Sequence, residues 1–169
     1  MPRVMVDDSV APDFALVIRE TWWQFLNFFG ARTDCFGDIR IVAVQTLSDQ
    51  ARYDPATATV WVHVPETASL LKAALIHEWA HHIEFQCAAQ VEMRTAFLAA
   101  QDLPINTPWR AANGSVNLRS YLWATIPSEQ YAETVAVSVL DNRGLRTAVP
   151  ISEQGIQVVT AWARKEPLP

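Results

Sequence analysis

Hydrophobic positions in the first half of the chain fall into two helical rhythms separated by strand-like runs. Phe14, Ile18, Trp22, Phe25 and Phe29 recur at helical spacing, with Arg19, Glu20, Gln24 and Asn27 between them, and Gly30 follows. This predicts an amphipathic helix over residues 12–29 whose aromatic stripe faces a core. Ile41-Val42-Ala43-Val44 is uninterrupted and β-branched, which predicts a strand buried on both faces. The stretch 48–55 is rich in turn formers. In residues 57–64, Val60, Val62 and Val64 share one face and Trp61 and His63 the other, as in a strand, and Pro65 stops the run.

The second rhythm covers residues 67–85. Leu70, Leu71, Leu75, Ile76, Trp79 and Ile83 lie almost all the way round it, and Lys72 is its only charge before Glu78. A helix apolar on every side belongs in the middle of a domain. Residues 89–100 continue as helix, and 102–117 is looser, with Pro104, Pro108 and the turn pair Asn113-Gly114. Pro127-Ser128 opens another helix, with Ser128 as its cap, which runs to about Leu140 before Asn142-Arg143-Gly144. A last helix is expected over residues 152–164, with Ile156, Val159 and Trp162 on one side. The elements together predict an α+β fold with a small mixed sheet, and residues 1–169 as a single domain without internal repeats.

Half of the 169 residues are hydrophobic and 18% are charged, as expected of a packed globular chain. A net charge of −5 without a Lys/Arg cluster argues against nucleic acid and anionic membrane as partners. No secretory signal is visible, so the chain as printed reads as cytoplasmic. Cys35 and Cys87 are the only cysteines, too few for a disulfide framework, and are expected to be reduced, structural thiols.

The candidate chemistry sits inside the apolar helix, as His77-Glu78-Trp79-Ala80-His81. Positions four apart lie on one face of a helix, one turn above each other, so both imidazoles can reach one metal ion. Glu78 projects about 100° round the same helix, beside an open coordination position. His82 points about 100° from His81, cannot share that metal, and is expected as a packed or surface histidine.

A catalytic zinc normally has three protein ligands, so one more is needed. Cys87, close behind the motif, lies about 9 Å beyond His81 along a straight helix and is a poor third ligand. His63, on the strand before the motif, is a candidate, more readily as a substrate-side residue than as a ligand. The later helix offers Glu129 and Glu133, four apart on one face, of which one can bind metal while the other accepts a hydrogen bond from a ligand imidazole. Residue chemistry alone does not order the two.

The motif helix followed by Ser128-Glu129-Gln130-Tyr131-Ala132-Glu133 resembles the glutamate-zincins (gluzincins). Among these it is most similar to the lethal-factor-like group and related small bacterial zincins, in which H-E-x-x-H precedes a helix bearing E-x-x-x-D or E-x-x-A-E. The resemblance implies a minimal zincin with a buried active-site helix and a following Glu-bearing helix. It implies His77, His81 and Glu129 as ligands of one Zn²⁺ per chain, and Glu133 as the carboxylate behind a ligand imidazole. It also implies Glu78 as general base, a peptide or protein substrate, and a zinc metallopeptidase, more readily an endopeptidase. In zincins the strand before the motif helix is the edge along which an extended substrate lies. Trp61 and His63 are therefore expected at the substrate, bound by strand addition to residues 59–64. Tyr121, ahead of the Glu helix, is a candidate donor to the oxyanion. Two other readings stay open: a non-catalytic regulatory or adaptor domain stabilised by a structural metal, and a toxin-like effector protease.

Overall fold

The computed structural model describes residues 1–64, 66–111, 123–145, 147 and 149–169. The fold is α+β, with a small mixed four-stranded sheet and, among the described residues, five α-helices. In chain order these are β1 (Val4–Val6), α1 (Pro12–Phe28), β2 (Ile39–Val44), β3 (Ala51–Asp54), β4 (Thr59–His63), α2 (Ala68–Gln86), α3 (Arg94–Ala100), α4 (Pro127–Val139) and α5 (Glu153–Ala163). Short 3-10 turns at Gly30–Arg32, Ala88–Met93 and Trp123–Thr125 join some of them.

The sheet runs β1-β2-β4-β3. The first three strands are mutually parallel, and β3 lies antiparallel to β4 on the outer edge. The β3–β4 hairpin turns over Asp54, whose carboxylate accepts from Ala56 N–H at 3.0 Å and from the Thr57 hydroxyl at 2.5 Å. Ala58 closes the turn with φ of 49°, a left-handed conformation that costs a non-glycine residue some strain.

Two sequence expectations change here. Residues 51–54, read as part of a turn-rich stretch, form the edge strand. Residues 59–63, expected to be the edge, are hydrogen-bonded on both sides, so β4 has no free edge for a peptide to join. β2 is also not buried on both faces: Ile39 and Ile41 are buried, whereas Arg40 is exposed and Val42 only partly covered. Among the described residues, helices cover the sheet on one side, where Val60 and Val62 point inward.

That covered face holds the core. The α1 stripe delivers Ile18, Trp22, Phe25 and Phe29, all buried. Trp22 meets the α2 residue Trp79 edge-on, with ring centroids 4.9 Å apart, and Phe25 meets the same ring at 5.5 Å. α2 is enclosed by the sheet, α1 and α4, which explains its lack of a polar face; Leu71, Leu75, Ile76, Trp79 and Ile83 are all buried. Its N-terminus is capped by Thr67, whose side chain accepts from the Leu70 N–H. Ser152 caps α5 in the same way, accepting from Gly155 N–H. Ser128 does not cap α4. That helix begins at Pro127 after Ile126, and the Ser128 side chain turns inward instead.

Cys35 and Cys87 are joined in a disulfide, contrary to the expectation of reduced thiols. The loop before β2 packs against the C-terminal end of α2, where Cys87 is the cap residue, and the two Cα atoms lie 4.8 Å apart. Two cysteines 52 residues apart carry no pattern that a sequence reading can pair. Loop-closure entropy for that separation gives the crosslink a worth of about 4 kcal/mol, within the usual range for disulfides. Urea denaturation of Cys35→Ser is expected to show a loss of about 2–4 kcal/mol. A variant as stable as the parent would mean the crosslink constrains nothing. Among the described residues, no helix is long and apolar enough to cross a membrane.

Candidate metal centre

α2 and α4 pack side by side, and their facing polar residues converge at one end of a cleft of about 520 Å³. His77 and His81 come from α2, one turn apart, and Glu129 comes from the first turn of α4. His77 Nε2 lies 3.0 Å from Glu129 Oε2, His81 Nε2 lies 3.5 Å from the same oxygen, and the two Nε2 atoms are 3.2 Å apart. Ligand atoms held tetrahedrally at ordinary zinc–nitrogen and zinc–oxygen distances are spaced by about 3.3 Å. The three edges of this triangle therefore have the size that one tetrahedral ion requires.

The donor chemistry fits a cation better than a proton. Two imidazole nitrogens face each other at 3.2 Å, and a carboxylate oxygen faces both. A single divalent ion satisfies all three lone pairs at once, whereas protonating both rings sets two like charges side by side. His77, His81 and Glu129 are the group among the described residues that could hold a metal ion.

The far nitrogens of both imidazoles are also occupied. His77 Nδ1 is 3.0 Å from Glu133 Oε1, which fixes the ring with Nε2 toward the triangle. His81 Nδ1 is 3.1 Å from Glu84 Oε2. Glu84 has a fully buried side chain and further accepts from the Ser128 hydroxyl at 2.6 Å and from Arg110 Nε. The Arg110 guanidinium in turn lies over the Phe85 ring, 3.8 Å from its centroid. Trp123 stacks on His77, with ring planes 16° apart and centroids 6.0 Å apart.

The electrostatics of the metal-free cluster follow from burial opposed by pairing. Burial pushes His77 down, but Glu129 and Glu133 outweigh it and hold its pKa up, at about 9. Burial likewise disfavours the charged form of His81, and Glu129 and Glu84 overcome it, so its pKa is raised. Burial raises Glu129 and Glu84, yet the histidines pull Glu129 well below its ordinary range and lower Glu84, with Ser128 and Arg110 assisting at Glu84. Glu78 behaves differently. Burial raises it, the two histidines only partly reverse this, and Glu129 adds to the rise. Glu78 is thus moved toward neutral pH, where a proton acceptor works best. It lines the cleft together with His77, His81 and Glu129.

Other expected site residues lie elsewhere. Trp61 and His63 do not line this cleft. They alternate with the core-facing Val60 and Val62 and so project from the uncovered face of the sheet, where His63 Nδ1 bonds to the Leu47 carbonyl at 2.7 Å. Cys87 is consumed by the disulfide. His82 is fully buried, as a packed histidine, with Nδ1 2.9 Å from the Tyr53 hydroxyl and Nε2 2.9 Å from the Gly37 carbonyl. Tyr121 lies outside the described residues. Glu84, Ser128, Tyr53 and Arg110 were missed as site residues by the sequence reading. For Glu84 a signal existed, because it stands one turn beyond His81 on the same face of α2. No family model, curated protein or solved structure matches this chain. The chemistry of the site is therefore read from its own residues.

Proposed function

We propose that this chain is a zinc-dependent peptidase of the zincin kind, with His77, His81 and Glu129 as metal ligands and Glu78 as general base. The observation that carries this reading is the triangle of donor atoms, sized for one tetrahedral ion and bordering a cleft rather than a closed interior. A structural zinc is closed on all sides by protein ligands, whereas a catalytic one keeps a position for water. The cleft and the adjacent Glu78 carboxylate therefore favour catalysis over an adaptor role.

A zinc ion bound there supplies Lewis acidity, which makes water a nucleophile near neutral pH and polarises a carbonyl oxygen. The protein does the rest. Glu133 and Glu84 orient the two imidazoles and keep their proton-bearing nitrogens away from the ion. Glu78, raised toward neutrality by burial, takes the proton of the attacking water and can return it to the leaving amine.

The substrate class follows from the wall opposite the motif helix. His63 N–H bonds to the Gln50 carbonyl at 2.9 Å, so Arg52, two residues on, bonds inward to Trp61 across the hairpin. Ala51 and Tyr53 alternate with these and turn their backbone N–H and C=O groups outward, along an edge that no strand among the described residues joins. Both residues line the cleft. An extended peptide can therefore join β3 as an added strand and bring a carbonyl to the Glu78 side of the triangle. This role belongs to β3, not to β4.

The test is direct. Purified protein is expected to carry about one zinc per chain, to cleave members of a mixed peptide library, and to lose and regain that activity with chelator and added zinc. Zinc-loaded protein that cleaves no peptide would end the peptidase reading.

A further inference from the structure

We propose that Tyr53, His82 and the Gly37 carbonyl form a latch that fixes the cleft's edge strand to the motif helix, making Tyr53 and His82 positioning residues. The proposal rests on the peptidase reading for its kinetic consequences but not for its structural ones.

His82 is the residue after the second motif histidine, yet it faces away from the metal triangle. Its Nε2 is 2.9 Å from a backbone carbonyl, that of Gly37, which can only accept, so Nε2 carries the hydrogen. Nδ1 of a neutral ring then has a lone pair, and the Tyr53 hydroxyl, 2.9 Å away, must donate to it. The ring is fully buried and is also contacted edge-on by Phe36 and Tyr53, with centroids at 6.1 and 5.5 Å. One imidazole thus bridges three segments: α2, the β3 edge, and the loop before β2 that the Cys35–Cys87 disulfide anchors to the end of α2.

A positioning role follows from where β3 stands. Among the described residues β3 has one strand neighbour, β4, and it is four residues long, so little else described in the sheet holds it. Tyr53 is the residue of β3 whose side chain reaches across to α2, touching His82 and, at 6.0 Å between centroids, Phe85. Tyr53 and Glu78 line the same cleft. Through Tyr53 the latch therefore sets the spacing between the strand that would hold the substrate and the group that would take the proton.

Two variants test this on the full-length protein as isolated. Tyr53→Phe removes only the hydroxyl. His82→Phe keeps a buried ring and removes both polar contacts. Hydrogen exchange of the Arg52 and Asp54 amides, which pair with β4, is expected to accelerate about tenfold in Tyr53→Phe, the scale of one lost buried hydrogen bond, while β2 amides keep their rates. Unchanged exchange at β3 would overturn the latch whatever the enzyme does. On a cleaved peptide, KM is expected to rise about tenfold in Tyr53→Phe with kcat changed less and zinc content intact, and the double variant to be no worse than His82→Phe alone. Additive losses, or zinc lost from Tyr53→Phe, would also overturn it. A parent protein that hydrolyses no peptide would sink the peptidase reading and leave the exchange measurement to decide the latch.

Discussion

Glu78→Gln is expected to retain about one zinc per chain while kcat falls on the order of 10²–10⁴-fold, the usual contribution of a positioned general base. The substitution preserves shape and volume, and Glu78 contributes no atom to the triangle of His77, His81 and Glu129, so metal binding has no reason to change. What disappears is the proton acceptor. Its fitness for that role comes from its surroundings. Burial moves the carboxyl up from its ordinary value, His77 and His81 restrain the rise, and Glu129 adds to it. A free surface carboxylate would be too weak a base at neutral pH, whereas one moved upward accepts a proton more readily. Metal analysis beside peptide turnover on the same preparation gives the two readouts. Turnover equal to the parent would remove Glu78 from the chemistry, and loss of zinc would place it among the groups that hold the ion.

The parts of this architecture that repeat strongly in sequence were legible, and those that depend on pairing partners were not. α1, α2, α4 and α5 each carry several turns of periodic apolar positions, and their bounds fall within a few residues of those expected. The spacing of His77 and His81 fixes their common face without reference to anything else in the fold. β1 and β3 are three and four residues long. In β3, Ala51-Arg52-Tyr53-Asp54 offers no β-branched residue, and it is a strand only because β4 pairs with it. The error at β3 propagated. A reading that makes residues 59–63 the edge puts Trp61 and His63 at the substrate, whereas their alternation with the core residues Val60 and Val62 turns them to the opposite face of the sheet. Ser128 shows a competition that sequence does not resolve. A serine after Pro127 is a plausible helix cap, but buried Glu84 across the helix pair needs a donor, and that demand takes the side chain inward. The disulfide was hidden for a related reason, because the approach of the Cys35 loop to the end of α2 is a property of the packed chain alone.

Removal, one at a time, of the groups proposed to hold the metal is expected to rank them by whether each belongs to the triangle or stands behind it. His77→Ala and His81→Ala each delete one nitrogen of the triangle and should purify essentially free of zinc. Glu129→Ala deletes the carboxylate oxygen that lies within 3.5 Å of both Nε2 atoms. Its loss should exceed the 10–100-fold fall in affinity that typically follows removal of an orienting partner. Glu133→Ala and Glu84→Ala are expected to stay within about that range, because each touches only the far nitrogen of one imidazole. Glu84→Ala should also cost stability, since it strands Arg110 and the Ser128 hydroxyl around an emptied buried position. Zinc affinity by competition with a chromophoric chelator, at a fixed pH, orders all five variants on one scale. Fixing the pH matters because His77 stays protonated to about pH 9 in the metal-free protein, so binding must displace protons and weakens as pH falls. A Glu133→Ala variant that loses more affinity than Glu129→Ala would exchange the roles of the two carboxylates. Full zinc retention in both histidine variants would instead mean that the ion binds elsewhere, and the chemistry assigned to this cleft would go with it.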